Sequence, residues 1–235
     1  MTEPVARIRR TTVRPELAGL HDDPIWSKAD VVPIASFHPR SSDHRPRASV
    51  RLLHDGARLF ALFRVEDDRF VRAVHTAYDS DTYKDSCVEL FVQPAGRTGY
   101  FALEVNCGGA FSLRYIEDPT RTSDRFAKWT RVDWEDARRI EVAASMQAPI
   151  DPELSGPVTW WVGLAWPVNV MEPYCGAIGD LGGQSWRGNA FKCADDTSHP
   201  HWASWAPIGE KLNFHAPVHF GTLLLERGQD RSQYR

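Results

Sequence analysis

The stretch "YKDSCVELFVQPAGRTGYFALEVNCGGA", Tyr83–Ala110, decides the fold. Val88, Leu90 and Val92 alternate with Cys87, Glu89, Phe91 and Gln93, while Phe101, Leu103, Val105 and Cys107 alternate with Tyr100, Ala102, Glu104 and Asn106. A two-residue period places alternate side chains on opposite faces of a strand. Between the two runs, "PAGRTG" is rich in the residues that make a hairpin turn. If Gln93 and Tyr100 close the hairpin, the pairs continue as Val92 with Phe101, Leu90 with Leu103, Glu89 with Glu104 and Cys87 with Asn106. One face is then apolar and the other sets two carboxylates opposite each other. Like charges across a ladder are destabilising, so the pair calls for a cation, an arginine, a ligand or a catalytic role. Arg187 and Lys192 are the plain structural candidates to bridge it.

Outward from this hairpin the strand signals recur at short intervals. They include "ARIRRTTV" (6–13), "VVPIASF" (31–37), "ASVRLLH" (48–54), "RLFALFRVE" (58–66), "WWVGLAWPV" (160–168), "WRGNAFKCA" (186–194) and "VHFGTLLLE" (218–226). "HDGA" (54–57) supplies an Asp-Gly turn for a second hairpin. No sustained helical period appears, and "DPIWSKAD" and "VDWEDARR" allow at most a turn or two. The cadence predicts an all-β fold: an antiparallel β-sandwich, immunoglobulin- or jelly-roll-like, of about ten strands. No linker composition divides the chain, so a single domain over residues 1–235 is expected, with ragged ends at 1–6 and 228–235. Three long polar connections, Asp67–Lys84, Glu117–Thr130 and Met171–Ser185, are of a length more often functional than idle.

The 235 residues are 42% hydrophobic and 25% charged with a net charge of -3, which provides for a sizeable core and no basic footprint for nucleic acid or anionic membrane. No run approaches the length of a membrane span, and the start lacks an apolar leader core. As written the chain reads as cytoplasmic, or secreted if a leader was removed. Cys87 and Cys107 fall on opposite faces of the hairpin, and all four cysteines are expected as free thiols.

The order of motifs resembles the family 9 carbohydrate-binding modules and their stand-alone relatives, within a wider group of DOMON-like β-sandwiches. The matching pieces are "HDDPIWSKAD", "FRVEDD", "YKDSCVELFVQP", "YFALEVNCGG" and the closing segment from "WRGNAFKCADD" to "NFHAPVHFGTLLLE". What the resemblance implies is a sugar held between two aromatic rings and hydrogen-bonded by polar side chains of the sheet. The rings map to Tyr83 and Phe214, both commonly tryptophan in the best-known binders, so a weaker or differently specific platform is implied. The polar contacts map to Glu89, Glu104 and Asn106, with Trp186 and Asn189 beside them and Trp129 bordering a long loop. No cofactor is implied; some members carry structural calcium, and no dense acidic loop here demands it.

Sugar chemistry suits these residue types independently, because aromatic rings stack on C–H faces while carboxylates and amides meet adjacent hydroxyls. The leading expectation is therefore a non-catalytic binder of a mono- or oligosaccharide, with no nucleic-acid or membrane partner. A glycoside hydrolase using Glu89 and Glu104 is the alternative, since opposed strand residues hold carboxylates at about the 5–5.5 Å of retaining enzymes. Against it stands the low burial expected of an open sheet face, because a catalytic acid needs a raised pKa. Haem-binding DOMON-like relatives offer a third reading, for which Met1, Met146 and Met171 are the only methionine ligands. Trp160, Trp161, Trp166, Trp202 and Trp205 are expected in the core. "CADDTSHPH" (193–201) contains metal-ligand residue types without a zinc spacing.

Overall fold

The hairpin closes in the register that its alternation dictates. In the computed structural model, which describes residues 3–18, 23–122 and 125–228, Val92 opposes Phe101, Leu90 opposes Leu103, Glu89 opposes Glu104 and Cys87 opposes Asn106. Among the described residues sixteen strands form: β1 (Val5–Arg10), β2 (Val31–Ile34), β3 (Ser36–Phe37), β4 (Arg47–His54), β5 (Arg58–Asp68), β6 (Val71–Ala73), β7 (Cys87–Gln93), β8 (Tyr100–Asn106), β9 (Phe111–Thr122), β10 (Arg125–Arg131), β11 (Glu141–Ala144), β12 (Ile150–Leu154), β13 (Val158–Pro167), β14 (Ser185–Ala194), β15 (His201–Ser204) and β16 (Gly221–Leu225). Two one-turn α-helices, α1 (Trp134–Ala137) and α2 (Glu172–Cys175), and four short 3-10 turns accompany the strands among the described residues.

Two layers face each other. One runs β10-β9-β8-β7-β14-β16 and the other contains β4-β5-β13-β11, with β1 joining them. The joint is parallel: Val5–Ile8 pair with β16, and Arg9 and Arg10 pair with the end of β4. The other pairings of the two layers are antiparallel, as in a β-sandwich. The strand count exceeds the expected ten because β2, β3, β6, β11, β12 and β15 have only two to five residues, too few to display a period. Val5 and Ala6 are in a strand rather than in a ragged end, and residues 229–235 lie outside the described residues. The second hairpin forms at Asp55-Gly56: Asp55 Oδ1 accepts from the N–H groups of Ala57 and Arg58, and Gly56 takes φ +103°, open to glycine at little steric cost.

Apolar residues fill three positions. Between the layers pack Val88, Leu90, Val92, Phe101, Leu103 and Val105 from the hairpin against Phe63, Val65, Trp160 and Trp166. On the outside of the β4-β5-β13 layer, Trp26, Leu53, Phe60 and Leu62 form a smaller cluster. On the outside of the other layer, Phe91, Tyr100, Ala102, Ile116 and Phe191 are buried with Ile208 and Phe220 from the segment after β15. That third cluster means the polar face of the hairpin is roofed and not open to solvent.

A charged pair crosses the interior. Lys192 on β14 places Nζ 2.8 Å from His201 Nε2 and 3.5 Å from Asp68 Oδ2, and Asp68 also accepts from Trp160 Nε1 and lies 2.9 Å from His44 Nε2. Lys192 and Asp68 are both fully buried. Burial works against the Asp68 carboxylate, but Lys192, His44, His201 and Trp160 outweigh it and hold it below the usual range.

Candidate functional site

One row of side chains crosses four strands on the roofed face. Phe191 of β14 is in register with Glu89 of β7, Glu89 with Glu104 of β8, and Glu104 with Ser112 of β9. Strand alternation sends all four outward from the sandwich. The row's two carboxylates, Glu89 and Glu104, are the floor of a cavity of about 760 Å³, whose lining also includes Tyr83, Arg114, Trp129, Cys193, Trp202 and Phe214. Tyr83 comes from the 3-10 turn Thr82–Lys84 just before β7, and Phe214 from the roofing segment. One face of Phe214 stacks on Phe191, with centroids 4.1 Å apart and rings inclined by 14°.

Glu89 and Glu104 are each only 3% exposed, which overturns the expectation of an open face with little burial. Neither Arg187 nor Lys192 bridges them: Arg187 donates to Phe220 O, and Lys192 faces the interior. The cation is Arg114, one strand further on, whose Nη1 is 3.2 Å from Glu104 Oε2 while Nη2 reaches Asp79 at 3.3 Å. Ser112 Oγ donates to the same Glu104 oxygen at 2.8 Å. Among the described residues, the partner of Glu89 is the Cys193 thiol, with Sγ 3.1 Å from Oε1. Burial, then Cys193 and the Glu104 charge, raises Glu89 well above the ordinary carboxylate range. Burial raises Glu104 as well, against the pull of Arg114 and Ser112. His215 also lines the cavity, and burial with the Arg121 and Arg114 charges pushes it down to about 3, so its imidazole is neutral near pH 7.

Three residues named from the sequence lie elsewhere. Asn106 is on the same face, but its amide donates to His75 O and Asp85 Oδ2 while its oxygen accepts from the N–H groups of Gly108 and Ala110. All four of its hydrogen-bonding positions are taken, two by the turn and two by His75 and Asp85. Asn189 donates to Ala206 O and accepts from Ala190 N and Ala206 N, fixing the roofing segment to the sheet. Trp186 points into the core between the layers, 1% exposed, and donates to Gln184 Oε1. None of the three lines the cavity. Trp202, expected in the core, is a lining residue whose Nε1 donates to Asp195 Oδ1. Phe126 and Trp129 line the cavity from β10, because the connection read as a polar loop at 117–130 is a strand pair, β9 with β10. Its two faces are both largely exposed and polar, which leaves little alternation to read.

The metal-ligand residue types of "CADDTSHPH" disperse. Cys193 meets Glu89, Asp195 meets Trp202, His199 stacks on Phe70 and His201 meets Lys192. Two groups of such donors do gather among the described residues, His44 with Asp68 and His201, and Cys87 with Glu89 and Cys193. In the first, the Lys192 ammonium supplies the positive charge. In the second, burial pushes the Cys87 thiol up to about 12, and the hydrogen bond with Cys87, then burial, holds Cys193 well above its ordinary value. Neither is the cage of roughly six to eight oxygens that calcium takes.

Comparison with known proteins follows the same lines as the geometry. The model of the family described as Carbohydrate-binding family 9 matches residues 25–225. Among solved structures, a presumed carbohydrate-binding protein of Bacteroides uniformis ATCC 8492 is 26% identical with a TM-score of 0.82, over 96% of this chain and 100% of its own. A family 9 carbohydrate-binding module of Caldicellulosiruptor kristjanssonii, solved with cellotriose, shares the fold at 15% identity and a TM-score of 0.62, over 97% of each chain. Its structure with glucose gives 16% and 0.59, over 97% of this chain and 99% of that one. No curated protein matches the chain.

Proposed function

The chain belongs to carbohydrate-binding family 9, and from that premise we propose that its cavity holds a sugar without transforming it, stacked between Tyr83 and Phe214 and hydrogen-bonded from below by Glu89 and Glu104. The observation that carries this reading is the placement of two aromatic residues from separate segments on the lining of one cavity whose floor is the paired carboxylates. A protonated Glu89 can donate to a hydroxyl while Glu104 accepts from the next one, a pattern matched to vicinal hydroxyls. The neutral His215 ring adds a further polar group at the same wall. Cellotriose and glucose in the Caldicellulosiruptor kristjanssonii module support sugars as the ligand class.

Calorimetric titration of the chain with glucose and cellotriose tests the reading. Tyr83→Ala and Phe214→Ala are each expected to weaken binding by about 1–3 kcal/mol, the worth of a buried apolar ring. Unaltered affinity in both variants would move the sugar elsewhere.

The unlike surroundings of Glu89 and Glu104 favour a second reading, glycoside hydrolysis. A Glu89 pushed toward its neutral form as acid, beside an arginine-held Glu104 as base or nucleophile, is the asymmetry such enzymes use.

A further inference from the structure

We propose that the sugar taken by this cavity carries an anionic group, a carboxylate or a sulfate ester, and that Arg121 receives it at the mouth with Arg40 beside it. This rests on the carbohydrate reading and names the ligand class for the same cavity. Four arginines line it, Arg40, Arg114, Arg121 and Arg125. Arg114 is committed to Glu104 and Asp79. The other three are exposed and form no ion pair among the described residues.

The acidic lining groups do not neutralise them. Asp81 pairs with Lys84 at 2.9 Å, Glu104 pairs with Arg114, Asp195 accepts from Trp202, and Glu89 is driven toward its neutral form by burial. The floor is therefore close to charge balance, and the mouth is left with unpaired guanidinium groups. Arg121 is also held in place: its guanidinium lies 4.2 Å from the Phe126 ring centroid, directly across the β9–β10 ladder. Its charge reaches inward, where it disfavours a proton on His215. A neutral sugar needs the floor and the rings alone. A guanidinium fork on the cavity lining suits the paired oxygens of a carboxylate or sulfate.

The test is calorimetric titration of the full chain with the matched pairs glucose and glucuronate, galactose and galacturonate, and with glucose 6-sulfate. At least one anionic sugar is expected to bind about tenfold or more tightly than its neutral counterpart, the scale of one charge-assisted contact. The preference should shrink between about 50 mM and about 500 mM NaCl, because exposed charges are screened. In Arg121→Ala the preference should be lost while neutral-sugar affinity stays, and in Arg40→Ala it should be reduced. Preference for the uronates or for the sulfate tells which anion is read. Neutral sugars binding as tightly as their acidic partners would overturn the inference and leave the carbohydrate reading standing. An Arg121→Ala variant that weakens both kinds equally would overturn it too. Silence from every sugar, cellotriose included, would overturn both.

Discussion

Glu89 and Glu104 stand directly opposite each other across the β7–β8 ladder, yet among the described residues only Glu104 has a cation. Their repulsion is relieved in two ways at once. Arg114 and Ser112 hold charge on Glu104, and burial beside the Cys193 thiol drives a proton onto Glu89. A pair that would destabilise the ladder if both were ionised is eased because Glu89, the partner with no cation among the described residues, is pushed furthest toward its neutral form.

Glu89→Gln should therefore gain stability relative to the parent as pH rises. A carboxyl whose folded pKa is raised stabilises the fold most below its unfolded value of about 4.3 and loses that contribution as pH climbs through the folded value. Glutamine carries no such dependence. Urea midpoints of the two proteins measured from about pH 4.5 to about pH 8 are expected to diverge in favour of the variant. A constant difference across that range would show that Glu89 titrates as an ordinary exposed carboxylate.

The register of this pair was legible in the sequence, because alternation on both strands sets which face each side chain takes and the short turn between Gln93 and Tyr100 sets the pairing. The roof was not. Alternation reports that Glu89 and Glu104 leave the core but says nothing of what lies above them, and the segment that covers them arrives from 110 residues or so later in the chain. The signal was present all the same: Phe91, Tyr100 and Phe191 share the outward face and are buried, and large rings on a face presumed wet point to a second layer. Arginine 114 was missed for a similar reason, since a charged residue in a strand reads as surface until its cross-strand neighbours are known. Asn106 and Asn189 were the opposite error. Their residue type suits a sugar, but the Asn106 oxygen accepts from a local turn and the Asn189 amide ties the roofing segment to the sheet.

Lys192→Met should be strongly destabilising. It strips the cation from a fully buried carboxylate, and breaking one half of such a pair costs about 3–5 kcal/mol. Asp68→Asn combined with Lys192→Met is expected to recover part of the loss, because no unpaired charge remains. Asp68, held below the usual range, contributes stability above its unfolded value of about 3.9 and loses it as pH falls through the folded value. Guanidinium unfolding of the four proteins in this cycle measures the coupling; additive effects would mean the two groups do not interact.

Thiol chemistry should separate one cysteine from the other three. All four are free, Cys87, Cys107 and Cys193 are buried, and Cys175 alone is partly accessible. Burial pushes Cys87 and Cys107 up to about 12, and the thiolate is the reactive form. Titration with a thiol reagent is expected to count four in denatured, unreduced protein and one fast-reacting group in the native protein. Loss of that fast group in Cys175→Ser would assign it. Two or more fast thiols would contradict the burial of the pair beneath the cavity.

Tyr83→Ala and Phe214→Ala should differ in stability though both touch the cavity. Phe214 stacks on Phe191 and packs with the outer cluster, so its removal takes contacts from the roof as well as from a ligand. Tyr83 has no ring partner in that cluster. The expected result is a clear drop in melting temperature for Phe214→Ala and a small one for Tyr83→Ala; the reverse order would exchange their roles.

The remaining prediction concerns turnover. Burial, absent from the sequence-based picture, does raise Glu89, so the lack of a protonated carboxyl no longer argues against hydrolysis. Direction of approach does. Glu89 and Glu104 rise side by side from one sheet face, whereas glycoside hydrolysis uses carboxyls that flank the scissile bond, one at the leaving oxygen and one at the opposite face of the sugar ring. Two groups on one floor are placed for adjacent hydroxyls of one ring face rather than for the two sides of a scissile bond. No release is expected from aryl glycosides or xylo-oligosaccharides, and Glu89→Gln and Glu104→Gln should both weaken sugar binding, Glu104→Gln the more because it also frees Arg114. Release above the blank that vanishes in both variants while substrate binding persists would establish the enzyme and retire the binding-only reading.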